Sequence, residues 1–564
     1  AGAQFSWSAS CEAGIATPCP GAGAGSTISG QSFANSILSP QNVVYTISST
    51  YAGCPGTGAS HTVIVNPVAN ALVSVLEQTR CSGTATDAVE LSTGVTGALV
   101  TYTWNVACDP GISVCPPSGG PAGTVPGATI SLNAGIFTQK SVTYTITPAI
   151  GTCAGTPATF TAHINPIPDL TVTPASHGTI CSGATTNFLL HSQVASPAFE
   201  WSATASAAIT PNSVTGQISN PVVQNFSNAA TQPETVTFSL TASAAGCTSV
   251  PVPYTVSVNP VADVTFATPS QTICSGTSTA AIPLATNITG AAVSYTWNAA
   301  CDAGIVSCPT AGGPANSIPA AVISLNGTTF VQKTATFIVT PSIGACAGTP
   351  SSYNIFINPI PDLTINPATH PPICSGTSTS FALNSQVAAP QFQWNATAGP
   401  NVAPNSLAGQ VDNPVLRTFT NSGNVVEPIS FTLTASAAGC TSLPVSYTVN
   451  VSPKPSVLFP STPANPQQVC SGATFTTVPL SSSVLLPGVS YAWSAAAFDP
   501  VNPTNAITGF TTPNTGNTIP GENIASSLLV QGVIKYSVTP TFTSLGVGCS
   551  GDPAEYLVPV NPSP

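Results

Sequence analysis

The chain of 564 residues has very few charged side chains. They make up 4% of it, whereas ordinary soluble domains contain about 25%. Its surface must therefore be covered by Ser, Thr, Asn, Gln and backbone groups. Six basic residues against seventeen acidic ones give a net charge of −11, and no basic run occurs. We therefore expect no nucleic acid and no anionic membrane among its partners.

The sequence also lacks methionine, long apolar runs and zinc-type cysteine spacing. We find neither a signal peptide nor an apolar run of about 18 residues, so no membrane insertion is expected in this segment. The absence of Met predicts a processed or excised piece of something longer. Seventeen cysteines without a Cys-x-x-Cys pair indicate disulfides and an oxidising, extracellular setting.

What the sequence does contain is alternation with a period of two. Although Pro and Gly are frequent, disorder is rejected because disordered chains are short of β-branched and aromatic residues. Residues 235–243, TVTFSLTAS, alternate apolar residues with Ser and Thr, as half-buried strands do. No stretch shows a helical stripe. The predicted class is therefore all-β.

The pattern of residues 167–260 recurs about every 96 residues along the chain. About seven short strands per repeat, separated by Pro, Gly and Asn turns, predict β-sandwiches. Residues 4–19 match the middle of later repeats, so the first domain is expected to lack its opening strands. The predicted domains are residues 1–67, 68–166, 167–260, 261–359, 360–453 and 454–564.

The joints between repeats look short and stiff. Most repeats close on Asn-Pro, and the next strand follows within a few residues, whereas flexible joints need longer Gly/Ser-rich linkers. Six sandwiches in series therefore predict an elongated rod that approaches about 200 Å in length. Two flavours of repeat alternate, and a shift of 193 residues relates Cys81 to Cys274 and Cys181 to Cys374.

Four short motifs carry a family resemblance: CSG before the second strand, Tyr-x-Trp on the third, Gly-Cys after the sixth and a closing Val-Asn-Pro. They resemble the PKD-like, immunoglobulin-like repeats of giant cell-surface adhesins of Bacteroidota, including SprB-type gliding adhesins. The resemblance implies extracellular display at the cell surface, export by the type IX secretion route and a role in adhesion or gliding motility.

Few side chains could carry catalysis or hold a metal. The five histidines are read as occupying non-equivalent settings that match no catalytic or metal-binding motif. They are His61, His163, His177, His191 and His370. Asp169 and Asp362 occupy equivalent positions, but one Asp per joint is too few for calcium, so an interdomain turn or cap is favoured over a hinge calcium ion. We expect no enzyme activity, no cofactor and no metal.

The single tryptophan of each repeat is expected in the core of its sandwich rather than in a sugar-stacking row. These residues are Trp7, Trp104, Trp201, Trp297, Trp394 and Trp493.

A further prediction concerns loop cysteines that are present or absent together across the repeats and lie eight residues apart or fewer. The predicted loop disulfides are Cys11–Cys19, Cys108–Cys115 and Cys301–Cys308.

The CSG and Gly-Cys cysteines allow two pairings. Pairing within a repeat, such as Cys181 with Cys247, is the obvious one and stays open. In an immunoglobulin-like strand order, however, these two residues lie at opposite ends of the sandwich, which favours bridges between neighbouring repeats. The favoured bridges are Cys81–Cys247, Cys181–Cys346, Cys274–Cys440 and Cys374–Cys549. Cys54, Cys153 and Cys470 would then have partners beyond, or lost with, the ends of this piece.

The leading functional hypothesis is a non-enzymatic structural stalk of a large extracellular adhesin or surface filament. Its expected partners are neighbouring repeats of the same long chain. The alternative is a ligand-binding repeat array that recognises surface glycans or proteins, for which the alternating loop flavours are the only hint.

Overall fold

A computed structural model describes residues 2–498 and 506–563 of the chain. Every helix or strand among these residues is a β-strand. The chain divides into two compact units. One unit comprises Ala1–Asp263, Asn287–Val293 and Ser342–Gly348, and the other comprises Val264–Thr286, Ser294–Pro341 and Thr349–Pro564. The same β-sandwich plan recurs within both units.

The main sheet of each repeat is built on one long strand. In Glu234–Ala244 the side chains of Val236, Phe238 and Leu240 are buried, and the Ser and Thr residues between them are exposed. This alternation follows from the two-residue period of a strand with one face on the core. The long strands are Gln41–Tyr51, Lys140–Ile150, Glu234–Ala244, Lys333–Ile343, Glu427–Ala437 and Gly532–Ser544.

Two antiparallel neighbours flank each long strand. On one side lies the strand that carries the tryptophan, which we call the Trp strand. The Trp strands are Gln4–Cys11, Thr101–Cys108, Ala198–Thr204, Ser294–Cys301, Gln391–Ala398 and Val489–Phe498. On the other side lies the last strand of the repeat, which we call the closing strand. The closing strands are Ala59–Val65, Ala158–Asn165, Val252–Asn259, Ser351–Asn358, Val445–Ser452 and Ala554–Asn561.

Short strands complete the main sheets. A strand that ends on the CSG cysteine, here called the CSG strand, runs parallel to the closing strand. The CSG strands are Glu77–Cys81, Ile180–Cys181, Ser270–Cys274, Ile373–Cys374 and Val469–Cys470. After the long strand the chain turns into Cys54–Pro55, Cys153–Ala154, Cys247–Thr248, Cys346–Ala347, Cys440–Thr441 or Val547–Ser550. The strands beside the Trp strands are Ala22–Ala24, Ser213–Gln217, Ser406–Gln410 and Asn514–Thr515.

The second layer of the repeats consists of two- to four-residue strands that pair with one another. In the second and third repeats they are Leu72–Val73, Thr84–Ala85, Val89–Ser92, Thr124–Val125, Thr129–Ile130, Thr171–Thr173, Leu189–His191, Ile209–Thr210 and Ser227–Asn228. In the fourth and fifth they are Thr265–Phe266, Thr277–Ser278, Ile282–Ala285, Ser317–Ile318, Val322–Ile323, Thr364–Asn366, Thr377–Ser378, Ala382–Asn384, Val402–Ala403 and Thr418–Asn421. In the sixth they are Val457–Leu458, Ala473–Thr474, Val478–Pro479, Ser481–Ser482, Ile507–Thr508, Thr518–Ile519 and Asn523–Ser526.

Each complete sandwich has an aromatic core between its layers. In the third repeat Trp201 is 2% exposed, and its ring lies 5.7 Å from that of Phe238 on the long strand. The fifth repeat reproduces the pair with Trp394 and Phe431 at 5.6 Å. In the first repeat only the main sheet forms strands within residues 2–67, and Trp7 is accordingly half-buried.

Candidate functional site

The site is the joint between consecutive repeats, and the first of its two halves is the end at which the chain leaves a repeat. In the third repeat the CSG strand lies beside the end of the closing strand, with Cys181 opposite Asn259. The proline that follows Asn259 cannot donate to the ladder, so the sheet ends there. The CSG cysteine is thereby fixed at the exit end of its own repeat.

The second half is the hairpin turn that follows the long strand. Ala245 and Gly246 both have positive φ, 48° and 79°, and the turn places Cys247 opposite Ala244. Cys247 therefore lies at the start of the closing strand Val252–Asn259, whereas Cys181 lies at its end. Eight residues at about 3.3 Å each separate the two cysteines by about 25 Å, and a disulfide needs Cα atoms within about 7 Å. The pairing of Cys181 with Cys247 is thus geometrically impossible.

The structure instead brings the CSG cysteine of one repeat to the hairpin cysteine of the next. The bridges, with their Cα–Cα distances, are Cys81–Cys247 (5.6 Å), Cys181–Cys346 (5.3 Å), Cys274–Cys440 (5.6 Å) and Cys374–Cys549 (5.4 Å). The first two lie within one compact unit and the last two within the other. Cys54, Cys153 and Cys470 are exposed and free.

The closing asparagine is a second component of these joints. Asn165 donates from Nδ2 to the carbonyl oxygen of Ala245 at 2.9 Å, and its Oδ1 accepts from Gln139 at 2.7 Å. Asn358 makes the same bond to Ala438, again at 2.9 Å. Sequence reasoning treated the Asn-Pro pair only as the end of a strand and missed this role. The available signal was a Gln 26 residues before each of these asparagines.

The joints are of more than one kind. At the end of the third repeat, Asn259 Nδ2 lies 3.7 Å from Cys346 Sγ and makes no turn-carbonyl bond of the type just described. At the end of the fifth repeat Ser452 replaces the asparagine, and its buried hydroxyl has no hydrogen-bond partner among the described residues. The covalent bridge is therefore common to the four joints, whereas the polar contact around it varies.

The predicted loop cysteines also lie together. The Cα–Cα distances are 5.7 Å for Cys11–Cys19, 5.9 Å for Cys108–Cys115 and 6.0 Å for Cys301–Cys308. The loop closed by Cys108–Cys115 carries Val114, which is 70% exposed, and the loop closed by Cys301–Cys308 carries Val306, which is 64% exposed.

Asp169 and Asp362 cap turns inside their own repeats. Asp169 Oδ1 accepts from Gln193 N at 2.7 Å and from Ser192 Oγ at 2.8 Å, and Asp362 has the same surroundings. Partial burial alone would raise the pKa of Asp169, but the hydrogen bonds from Gln193 and Ser192 outweigh it and hold this pKa below its ordinary value. Of the interdomain turn or cap expected from the sequence, these bonds show the cap, and the correction is that it lies within a repeat rather than between repeats. No group of three or more His, Cys, Asp or Glu residues in the described ranges could hold a metal ion.

The reading of the histidines as non-equivalent was wrong. His177 and His370 lie 193 residues apart, the spacing of the two-domain repeat, and they make equivalent contacts. In both, Nδ1 is 2.6 Å from the carbonyl oxygen of the next residue, and Nε2 accepts a backbone N–H, from Asn187 or Ser380. These are local structural bonds, and the match was visible in the sequences around the two CSG motifs.

The tryptophans of the complete sandwiches are core residues. Trp201 Nε1 donates to Ser219 O and Trp394 Nε1 to Asp412 O, both at 3.1 Å. Trp104, Trp297 and Trp493 are buried as well. None of these five is available as a stacking surface for sugars.

The repeats match a known family. A model of the PKD-like domain matches residues 1–69, 178–262, 271–361, 371–455 and 467–564. The chain belongs to the PKD-like domain family. The second repeat lies largely outside the matched ranges, yet its main sheet has the same strand order as the other PKD-like repeats. The predicted all-β class and tandem immunoglobulin-like sandwiches are confirmed, and the match indicates no catalytic family.

The solved structures that match this chain include multi-domain ectodomains. The protocadherin GammaB4 extracellular domain has 10% identity and a TM-score of 0.23, with 93% of this chain and 89% of that chain covered. The eight N-terminal Ig domains of Down syndrome cell adhesion molecule have 10% identity and a TM-score of 0.23, covering 100% and 69%. The human desmocollin-1 ectodomain has 8% identity and a TM-score of 0.21, covering 87% and 98%. These values carry no functional argument for the PKD-like chain.

No curated protein sequence matches the chain. Within the described residues, no helix is long and apolar enough to span a membrane.

Proposed function

We propose that the chain is a non-enzymatic structural segment of a large extracellular adhesin or surface filament, in which PKD-like repeats carry load in series. The observation that supports the proposal is the covalent bridge at each of four joints between repeats. Such bridges persist in oxidising compartments, which suits an extracellular protein displayed at a cell surface. The partners of each repeat are then its neighbours in the same chain.

The way in which the bridges overlap supports a load-bearing role. Each bridge joins two consecutive repeats. The first cysteine of each later bridge lies within the segment closed by the bridge before it, as Cys181 lies between Cys81 and Cys247. In an unfolded but oxidised chain, the shortest covalent path from Cys81 to Cys549 contains only the backbone between Cys247 and Cys274 and between Cys374 and Cys440. The bridges therefore remove most of the extensible length.

Single-molecule stretching tests this role. Between residues 81 and 549, the fully extended oxidised chain should reach about 300 Å, against about 1,500 Å after complete reduction, at about 3.3 Å per residue. The matched control is a variant that lacks Cys108, Cys115, Cys301 and Cys308, because its lost loops are short and lie off this path. An oxidised chain that extends as far as the reduced one would contradict the proposal.

Three finer features of the proposal draw on the resemblance to SprB-type adhesins and on the short linkers. They are participation in gliding motility, export by type IX secretion and an elongated arrangement of the repeats. Small-angle scattering tests the last of these, and a maximum dimension far below about 200 Å would contradict it. Deletion of the gene in its native host, followed by measurement of surface spreading, tests the first.

A ligand-binding array is the second candidate function. The observation that favours it is an exposed valine in each of two disulfide loops, Val114 and Val306. Because an exposed side chain on a constrained loop costs little entropy to bind, these loops are the surfaces through which glycans or proteins would be recognised. Glycan-array binding by the full chain should then be lost when both valines are replaced by Asp, with Leu99→Asp, at another exposed apolar position, as control.

A further inference from the structure

The hairpin turns that precede the joint cysteines fall into two backbone classes. In the third repeat Ala245 and Gly246 both have positive φ, and in the fifth repeat Ala438 and Gly439 have the same conformation, with φ of 49° and 81°. Positive φ at both central residues is typical of the type I′ turn of two-residue β-hairpins. We call these two the Ala-Gly turns.

The hairpins of the second and fourth repeats have a different turn. Only the first central residue has positive φ there, 58° at Gly151 and 57° at Gly344, whereas Thr152 and Ala345 do not. This pattern is typical of the type II′ turn, and we call these two the Gly-first turns. The two types differ by about 150° in ψ of the first central residue, which turns over the peptide between the two central residues.

That peptide is the group with which the second and fourth repeats contact the hairpin of the next repeat. Asn165 Nδ2 donates to Ala245 O, and Asn358 Nδ2 donates to Ala438 O, both at 2.9 Å. Each accepting oxygen belongs to the peptide between the two central residues of an Ala-Gly turn. In a Gly-first turn the N–H of this peptide would face the asparagine instead of the carbonyl oxygen.

The asparagine is held so that only its N–H groups face the turn. Gln139 Nε2 donates to Asn165 Oδ1, and Gln332 Nε2 donates to Asn358 Oδ1, both at 2.7 Å. We call each of these Gln–Asn pairs an amide exit. Both asparagines are 5% exposed, so water has little access to them. A Gly-first turn at this position would therefore set two buried N–H donors against each other, and a buried donor without an acceptor is costly.

The exits of the third and fifth repeats lack this arrangement. No glutamine stands 26 residues before Asn259 or Ser452, the residues that end these repeats. Asn259 Nδ2 lies near Cys346 Sγ, and the hairpin that carries this cysteine has a Gly-first turn. The amide exit and the Ala-Gly turn therefore occur together, at the same two joints.

We propose that the amide exits of the second and fourth repeats select a type I′ turn and reject a type II′ turn in the hairpin that they meet. The turn, and not the hairpin cysteine alone, then decides which class of repeat can follow. Cys81 and Cys274 accordingly form their bridges with cysteines that follow Ala-Gly turns rather than with Cys346, which follows a Gly-first turn. The inference rests on joint geometry and is independent of the proposed adhesive function.

The test exchanges the turn of the third repeat in the full chain and keeps its cysteine. Ala245→Gly with Gly246→Thr installs the turn residues of the second repeat, and threonine disfavours the positive φ that a type I′ turn requires. A Cβ at Gly246 would meet no atom within 4 Å, so the exchange acts through the backbone and not through a clash. Ala245→Gly alone is the matched control, because glycine adopts positive φ readily.

The readout is the reduction equilibrium of each bridge. Each variant is equilibrated with a series of ratios of reduced to oxidised dithiothreitol, its thiols are alkylated, and each bridge is quantified by peptide mass spectrometry. The turn exchange should shift the equilibrium of Cys81–Cys247 toward thiols by at least about fivefold. Cys274–Cys440 in the same molecule should keep its wild-type value, and Ala245→Gly should leave both bridges close to theirs.

Asn165→Ala tests whether the asparagine is the group that distinguishes the two turns. Alone it should shift the equilibrium of Cys81–Cys247 toward thiols by about two- to tenfold. In this background the turn exchange should add less than about twofold, because the donor that opposes the flipped peptide is gone. An exchange with the same effect in the presence and absence of Asn165 would overturn the proposal, since the turn would then act on the bridge by itself. An exchange that leaves the wild-type equilibrium unchanged would overturn it as well.

Discussion

Removal of cysteine pairs gives a sharp test of the joints. In a background where the three free cysteines are replaced by Ser, the bridges seen here leave no thiol. Adding Cys181→Ser with Cys346→Ser removes one whole bridge and should again leave no thiol. Adding Cys181→Ser with Cys247→Ser instead breaks two bridges and should expose Cys81 and Cys346. Thiol titration in denaturant without reductant measures the difference directly.

The joint bridges and the loop bridges are expected to contribute differently to the free energy of unfolding. Cys181 and Cys346 are separated by 165 residues, and closing a loop of that length stabilises the folded state by about 5 kcal/mol in the chain-entropy model. The loop bridge Cys301–Cys308 spans 7 residues and is worth about 2 kcal/mol in the same model. Denaturant unfolding should therefore show a larger loss for Cys181→Ser/Cys346→Ser than for Cys301→Ser/Cys308→Ser.

Pairing within each repeat would give the opposite pattern. The background variant would already show thiols, since cysteines that pair with Cys153 and Cys470 would lose their partners. Cys181→Ser with Cys247→Ser would then expose no further thiol, whereas Cys181→Ser with Cys346→Ser would expose two more. Either of these results would refute the assignment of the disulfides to joints between repeats. It would also refute the strand order at the ends of the repeats.

Three further predictions concern single side chains. Hydrogen bonds hold the pKa of Asp169 in the folded state below its ordinary 3.8. The ionised Asp169 therefore stabilises the folded state above pH 3.8, and this stabilisation is lost as the pH falls through the pKa of the folded state. Asp169→Asn should accordingly weaken the acid dependence of the free energy of unfolding, monitored by fluorescence. Burial and the carboxylate of Glu522 raise the pKa of Tyr536 in the folded state. As the pH rises above about 10, the tyrosine therefore ionises more readily in the unfolded state, and the free energy of unfolding falls. Tyr536→Phe should reduce this alkaline loss of stability. Trp201→Ala should cost about 3–5 kcal/mol in denaturant unfolding, and Trp7→Ala clearly less because Trp7 is only half-buried; equal costs would contradict the core assignment.

Much of the fold was predictable because its signals are local. The alternation in strands such as Glu234–Ala244 has the period of the strand itself, and the repeat spacing locates equivalent strands without any tertiary information. The loop cysteines are close in sequence. Their pairing could therefore be predicted from the observation that the two members of a pair are present or absent together in the repeats. The preference for bridges between repeats needed one added assumption, the immunoglobulin-like order of the strands.

The contents of the joints were decided only by the tertiary structure, because they depend on residues far apart in the chain. The amide of Asn165 reaches a carbonyl 80 residues later, and its partner Gln139 lies on a different strand. Asp169 caps a turn 24 residues downstream within its own repeat, although its place in the sequence suggested the joint. A two-residue period fixes which face of a strand is buried, but not which strand ends meet, and that meeting places Cys470 and Asn561 side by side at the end of the last repeat.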